Sequence, residues 1–202
     1  MSIVDKVLAA VTPPESEEKR AEATAKARAA AEPGDWLSEA LDHHDQIRAR
    51  FEACRSAKAP ADRLAAMKAL ALVLNGHSLA EEIVLYPALA KADEKGHAGM
   101  AYTEQTTAKM QMAELERIPP EQDAWADKLE HIRGAVLHHI YEEEGTWFLE
   151  LKRQYDDQTT LTRRFHEEYT RYAGDGDEAS VSPSAAGPRS FPPGDAPPAP
   201  PI

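Results

Sequence analysis

The chain has 202 residues, with 35 acidic against 23 basic side chains and a formal net charge of −12. That length suits one ordinary domain with extensions, and an acidic balance without a basic stripe argues against nucleic acid and anionic membrane surfaces as partners. The longest clean apolar run, "ALALVL" at 69–74, is far short of a membrane span. Cys54 stands alone, so no internal disulfide can form.

The first residues, "MSIVDKVLAAV", place Ile3, Val4, Val7, Leu8 and Val11 on one stripe of a short helix. Charges inside that stripe and the lack of a basic region ahead of it make a poor signal peptide, so the expected location is cytoplasmic. After "TPP" comes "ESEEKRAEATAKARAAAE", strongly helix-prone but with only alanine as apolar material. It is expected as an exposed or loosely docked helix that ends at Pro33-Gly34, and residues 1–34 read as an N-terminal helical extension.

From Asp35 the pattern is helical to about residue 155. Asp35 caps a first core helix running to about Ser56. Asp62 is the expected cap of a second, which reaches about Ala92 with a kink near Pro87. A third covers about 97–117 and stops at Ile118-Pro119-Pro120. A fourth starts near Glu121 and passes Leu151. "TLTRRFHEEYTRY" is expected as a short additional helix at the bundle end, closing a unit over 35–173. Residues 174–202 are dominated by Pro, Gly, Ser and Ala and read as a disordered tail.

The apolar stripes of the four core helices run Leu37, Leu41, His44, Ile47, Phe51, Cys54; Met67, Leu70, Leu74, His77, Glu81, Leu85; Ala101, Gln105, Ala108, Met112, Leu115; and Trp125, Leu129, Ile132, Val136, His139, Glu143, Trp147. Each alternates steps of three and four, the seam of helices packed antiparallel in an up-down-up-down, all-α four-helix bundle. Each seam is interrupted by polar residues: His44; His77 and Glu81; Gln105; His139 and Glu143. A buried carboxylate without a partner costs several kcal/mol or more. A four-residue step puts His and Glu on one helix face, so two such pairs on facing helices can converge. Imidazole with carboxylate suits iron, manganese or zinc. One His-x-x-x-Glu pair is common by chance, and "HHIYEEEG" at 138–145 contains two overlapping ones. Three helices carrying such residues in phase with their own seams point to a metal site.

The segments "LDHHDQIRARF", "HSLAEEIVLYPAL" and "HHIYEEEGTWF" resemble the hemerythrin-like family, the HHE cation-binding domains, over about residues 35–155. Both His-x-x-x-Glu segments continue to an aromatic at equal spacing, His77 to Tyr86 and His139 to Phe148. That spacing selects His139 with Glu143 over His138 with Glu142, as the seam does, and the spacing to Phe51 selects His44 over His43. The resemblance implies two irons bridged by Glu81 and Glu143 and by an oxo or hydroxo group. His44 and His77 would serve one iron and His139 the other. Where the family carries a histidine on the third helix, this chain has Gln105, four residues before Lys109. Gln105 then coordinates weakly, binds a water or leaves a position open. Tyr102, one turn earlier, is a candidate phenolate for that position, and a single metal with Gln105 as core filler is the simpler alternative. His43, His138, Glu142 and Glu144 are left as outer or solvent-facing residues; His97, His131 and His166 have no seam argument.

The resemblance implies a non-haem di-iron protein that binds or senses dioxygen, nitric oxide or peroxide, and the departure at Gln105 predicts a firm iron at His44 and His77 and a labile one at His139. The alternatives are a di-iron oxidase, oxygenase or peroxide-decomposing enzyme, and iron buffering or delivery. An enzyme acting on an organic substrate needs an apolar access pocket, for which Trp147, Met112 and Met110 are the candidates. Sensing needs a partner protein, for which the N-terminal helix or the tail is the candidate surface.

Overall fold

Helix starts and stops follow the capping chemistry of the chain. The computed structural model describes residues 15–92 and 95–174; the expected stripe at 3–11 and the Pro-rich segment after Gly174 lie outside them. Ser16 accepts from the Lys19 N–H and opens α1, Glu17–Ala30. Gly34, at φ +78°, turns the chain in a region that favours glycine, and Asp35 accepts from the Ser38 N–H at 2.7 Å to open α2, Trp36–Ser56. The next helix, α3, spans Pro60–Ala80. It begins with proline at the first helical position, where no donor is needed, and not with Asp62 as cap.

The second core helix does not run as a regular α-helix to its end. Instead it passes through a π-helical turn at Glu81–Leu85 and continues as α4, Tyr86–Lys91, whose start accommodates Pro87. The third core helix is α5, Lys95–Leu115. The fourth repeats the pattern of the second: α6, Asp123–Glu142, a π turn at Glu143–Trp147, then α7, Phe148–Gln154. Asp157 caps α8, Gln158–Ala173. No strand occurs among the described residues.

The four core helices alternate in direction, as their residues in two apolar clusters show. One cluster joins Trp36, Leu37 and Leu41 to Leu85, Tyr86, Ala101, Trp147 and Phe148. The other joins Ile47 and Phe51 to Leu70, Leu74, Met112, Leu129 and Ile132. Each fully buried large side chain contributes roughly 1.5–3 kcal/mol. His44, His77, Gln105 and His139 lie between the two clusters in the order of their own helices, so each seam crosses the same polar layer once.

Two elements dock more closely than their composition suggests. The helix α1 buries Ala23 and Ala27, and the Ala23 Cβ lies 3.6 Å from where a Cβ on Gly145 would stand. Small residues on both sides allow this approach. Arg28 adds ion pairs to Asp42 and Asp45, both at 2.7 Å. The α8 helix does not sit only at the bundle end. It lies along α3, where a Cβ on Gly76 would meet Ala173, Tyr172 and Tyr169 at 3.2–3.4 Å, and it buries Leu161 and Phe165.

Candidate metal centre

Both π turns begin on the glutamate of a His-x-x-x-Glu pair. In each, the N–H of the aromatic five residues on closes the turn, Tyr86 to the Glu81 carbonyl and Phe148 to the Glu143 carbonyl. The equal His-to-aromatic spacing in the sequence is the trace of this shared geometry. An i→i+5 turn rotates each successive residue by less than the about 100° of an α-helix. Glu144, the second residue of its π turn, is fully buried, whereas Glu82, the second residue of the other, is partly exposed.

His44, His77, Glu81 and Glu143 each offer a ligand atom, and these atoms lie within 4.8 Å of one another. The His44 Nε2 is 3.3 Å from Glu143 Oε2, and the His77 Nε2 is 3.1 Å from Glu81 Oε1. All four of these atoms are buried, and none makes a hydrogen bond. Donor nitrogens and carboxylate oxygens that crowd together without bonding to one another have the arrangement of ligands to a shared cation, whose bonds to N and O are about 2.0–2.2 Å. These residues fit a metal ion of the kind that imidazole and carboxylate hold.

The other half of the layer is different. His139 Nε2 is 3.2 Å from Glu143 Oε1, but the Tyr86 hydroxyl shares that space. It donates to Glu143 Oε1 at 2.8 Å and lies 3.1 Å from His139 Nε2 and 3.3 Å from Glu81 Oε2. Gln105 is buried, and its amide donates to the Tyr86 hydroxyl at 2.6 Å and to Glu81 Oε2. Its Oε1 has no hydrogen-bond partner. Tyr102, the expected phenolate, faces elsewhere: its hydroxyl donates to the Glu82 carbonyl at 2.6 Å, and the residue is 37% exposed. A helical step of three from Gln105 puts Tyr102 toward the rim. Tyr86, nine residues after His77, reaches the centre instead.

Two carboxylates stand behind the histidines, Glu144, expected as an outer or solvent-facing residue, and Glu104. The His44 Nδ1 pairs with Glu144 Oε1 at 2.8 Å, and the His139 Nδ1 pairs with Glu104 Oε2 at 2.8 Å. A carboxylate on Nδ1 fixes the ring tautomer and presents Nε2 to the centre. Glu144 is itself held by Arg48, at 2.8 and 2.9 Å, and by the Thr24 hydroxyl of α1. Of the two places expected for Glu144, outer partner or solvent-facing residue, it takes the first. His43 is also buried. It stacks on Tyr169 of α8 at 3.6 Å, and burial together with the neighbouring His77 and His44 pushes its pKa down to about 2. It packs as a neutral aromatic. Of the residues named for a pocket, Trp147 and Met112 are core, while Met110 is 64% exposed.

Charge in the layer is balanced internally. Burial lowers the His44 pKa, but Glu143 and Glu144 outweigh it and raise it to about 9. Burial also opposes the charge on His139, and Glu143 and Glu104 hold its pKa well above the usual imidazole range. Burial would raise Glu143, yet the two histidines keep it well below the ordinary carboxylate value. Glu81 is raised by burial and by Glu143. Cation binding to such a layer displaces the imidazole protons that occupy the inner face.

A cavity of about 20 Å³ opens beside the centre. Its apolar wall includes Ile47, Leu74, Val136 and Ile140, and its polar end is formed by His77, Glu81, Gln105 and His139. A water needs about 10–15 Å³ by the same measure, so the cavity admits one very small molecule. Among the described residues, no helix is long and apolar enough to cross a membrane.

The hemerythrin HHE cation-binding domain matches residues 37–151, more than half of the chain. A DNA nickase of Nostoc sp. (strain PCC 7120 / SAG 25.82 / UTEX 2576) is 28% identical over 87 residues, 43% of this chain and 25% of that protein. The matched stretch thus spans a quarter of the nickase. No solved structure matches. From the family match over the four core helices and the His/Glu cluster between them, this metal-cation-binding chain belongs to the hemerythrin HHE family.

Proposed function

We propose that this protein binds or senses a small oxygen or nitrogen ligand, dioxygen, nitric oxide or peroxide, at an unequal pair of irons. His44, His77, Glu81 and Glu143 hold one firmly. The other is labile, with His139 and the remaining oxygens of Glu81 and Glu143 as its donors. The observation that carries the inequality is the different state of the two halves. His44 Nε2, His77 Nε2, Glu81 Oε1 and Glu143 Oε2 lack hydrogen bonds, while the Tyr86 hydroxyl and Gln105 amide already satisfy the donors around His139. A cation in the second half has to displace that network. Ferrous iron would supply the electrons and the open coordination for the ligand. The chain supplies the donor atoms, the outer carboxylates Glu144 and Glu104, and the apolar walls.

The cavity favours ligand binding over oxidation of an organic substrate, because about 20 Å³ leaves no room for one. Peroxide decomposition would use the same space and is the second reading; iron buffering uses only the labile half. Action on DNA, for which the Nostoc protein is named, does not suit this chain's charge. A net charge of −12 opposes a polyanionic partner. The same proposal places the protein in the cytoplasm.

Anaerobic iron loading, metal analysis and absorption spectra with dioxygen, nitric oxide and peroxide test the reading. Reversible bands with dioxygen or nitric oxide support it, and turnover of peroxide supports the second reading. Equal retention of two irons in a chelator titration overturns the unequal pair. No bound metal in the wild-type protein overturns both readings.

A further inference from the structure

The overlapping pair left outside the seam, His138 and Glu142, does not simply face solvent. Glu15, just ahead of α1, joins it, and one ligand atom from each of the three residues lies within 4.8 Å of the other two. The His138 Nδ1 pairs with Glu15 Oε1 at 2.7 Å. The side chain of Glu15 is 10% exposed. Its other oxygen, Oε2, is buried and makes no hydrogen bond among the described residues; it forms an ion pair with Arg20 Nη2 at 3.6 Å, which a bound cation would have to displace. His138 and Glu142 are four residues apart on α6, one turn along the same face. The third donor therefore comes from a different element, the arrangement that fixes a cation between two helices.

We infer that Glu15, His138 and Glu142 form a second, peripheral site for a divalent first-row cation such as Zn²⁺. One imidazole and two carboxylates give three N/O ligands, and solvent completes a tetrahedral shell at this partly exposed position. The site pins the start of α1 to α6. Its function is structural, since α1 carries Thr24, which reaches the Glu144 carboxylate behind His44. The site stands on its own geometry and needs no iron at the centre.

The test uses the full chain and Zn²⁺ alone as probe. Zinc equivalents are measured by competition with a chromophoric chelator, and amide exchange is followed over residues 17–22, the first turns of α1. The wild type is compared with His138→Asn and Glu15→Gln, changes of small volume outside the two apolar clusters. The expected result is one fewer zinc equivalent in His138→Asn. In Glu15→Gln the same class of site weakens about tenfold or more, at least the effect of losing an outer partner. In both variants the zinc-induced slowing of exchange in α1 disappears. Unchanged zinc stoichiometry in His138→Asn overturns the site, as does slowing retained in both variants; the cluster is then a salt bridge only.

Discussion

Replacing Glu144 with glutamine keeps the volume of a fully buried side chain and removes its charge. The wild-type carboxylate accepts from Arg48 and Thr24 and pairs with the His44 Nδ1 at 2.8 Å. Only the last contact bears directly on the centre. A carboxylate partner makes the imidazole a better donor and holds its ring plane; outer partners of this kind are worth about 10–100-fold in metal affinity. That corresponds to about 1.4–2.7 kcal/mol, in line with about 1.5–3 kcal/mol for a hydrogen bond to a charged group. Arg48 is 28% exposed and can turn to water, so little of the change should come from stranding it. Ferrous iron affinity, measured anaerobically against a chelator, should fall by about 10–100-fold in Glu144→Gln. The stabilisation of the fold by metal should shrink by the same free energy. Glu104 is more exposed, at 29%, so water can replace its contact with His139, and Glu104→Gln should weaken only the labile half and by less. A firm site of wild-type affinity in Glu144→Gln would refute the reasoning, because His44 would then not depend on this carboxylate as a ligand.

Gln105→His supplies the imidazole that the third core helix lacks. It should raise retained iron toward two per chain after mild chelation, as read by metal analysis; unchanged stoichiometry would show that Tyr86 alone blocks the second position. Tyr86→Phe removes a hydroxyl that donates to Glu143 and accepts from Gln105. In urea, the metal-free variant should be less stable by about 1–3 kcal/mol, the cost of leaving buried polar groups unpaired. Asp35→Ala removes the α2 cap and its contact with Lys152 at 2.8 Å, at a cost of about 0.5–2 kcal/mol near neutral pH. Burial would raise the Asp35 pKa, but Lys152 and the Ser38 and Glu32 N–H groups lower it below 3.8. Its contribution is therefore complete above that unfolded value and lost as pH falls through the lower folded one. The stability difference between wild type and Asp35→Ala should close over that acid range, and a constant difference would contradict the assignment.

Much of the bundle was legible in order along the chain. Seam periodicity located the four core helices and put His44, His77, Glu81, Gln105, His139 and Glu143 on the inside, because burial of one face repeats at the period of the helix that carries it. Short-range chemistry also placed the Asp35 cap and the stop at Pro119-Pro120. What the sequence could not decide depended on departures from the regular α-helix and on contacts between distant segments. The π turns after Ala80 and Glu142 changed the angle of every following residue, and contacts with His44, Arg48 and Thr24 hold Glu144 inside. Tyr86 and Tyr102 are both one or two turns from the centre along their helices. Only packing showed that Tyr86 reaches it and that Tyr102 bonds to a neighbouring carbonyl. The docking of α1 rests on alanine against glycine, a fit of shape that no hydrophobic pattern records. The residue types and their spacing thus specified a polar layer able to hold a cation. The unequal state of its two halves was decided by the tertiary structure, because hydrogen bonds among Tyr86, Gln105 and the two glutamates join helices that are far apart in the chain.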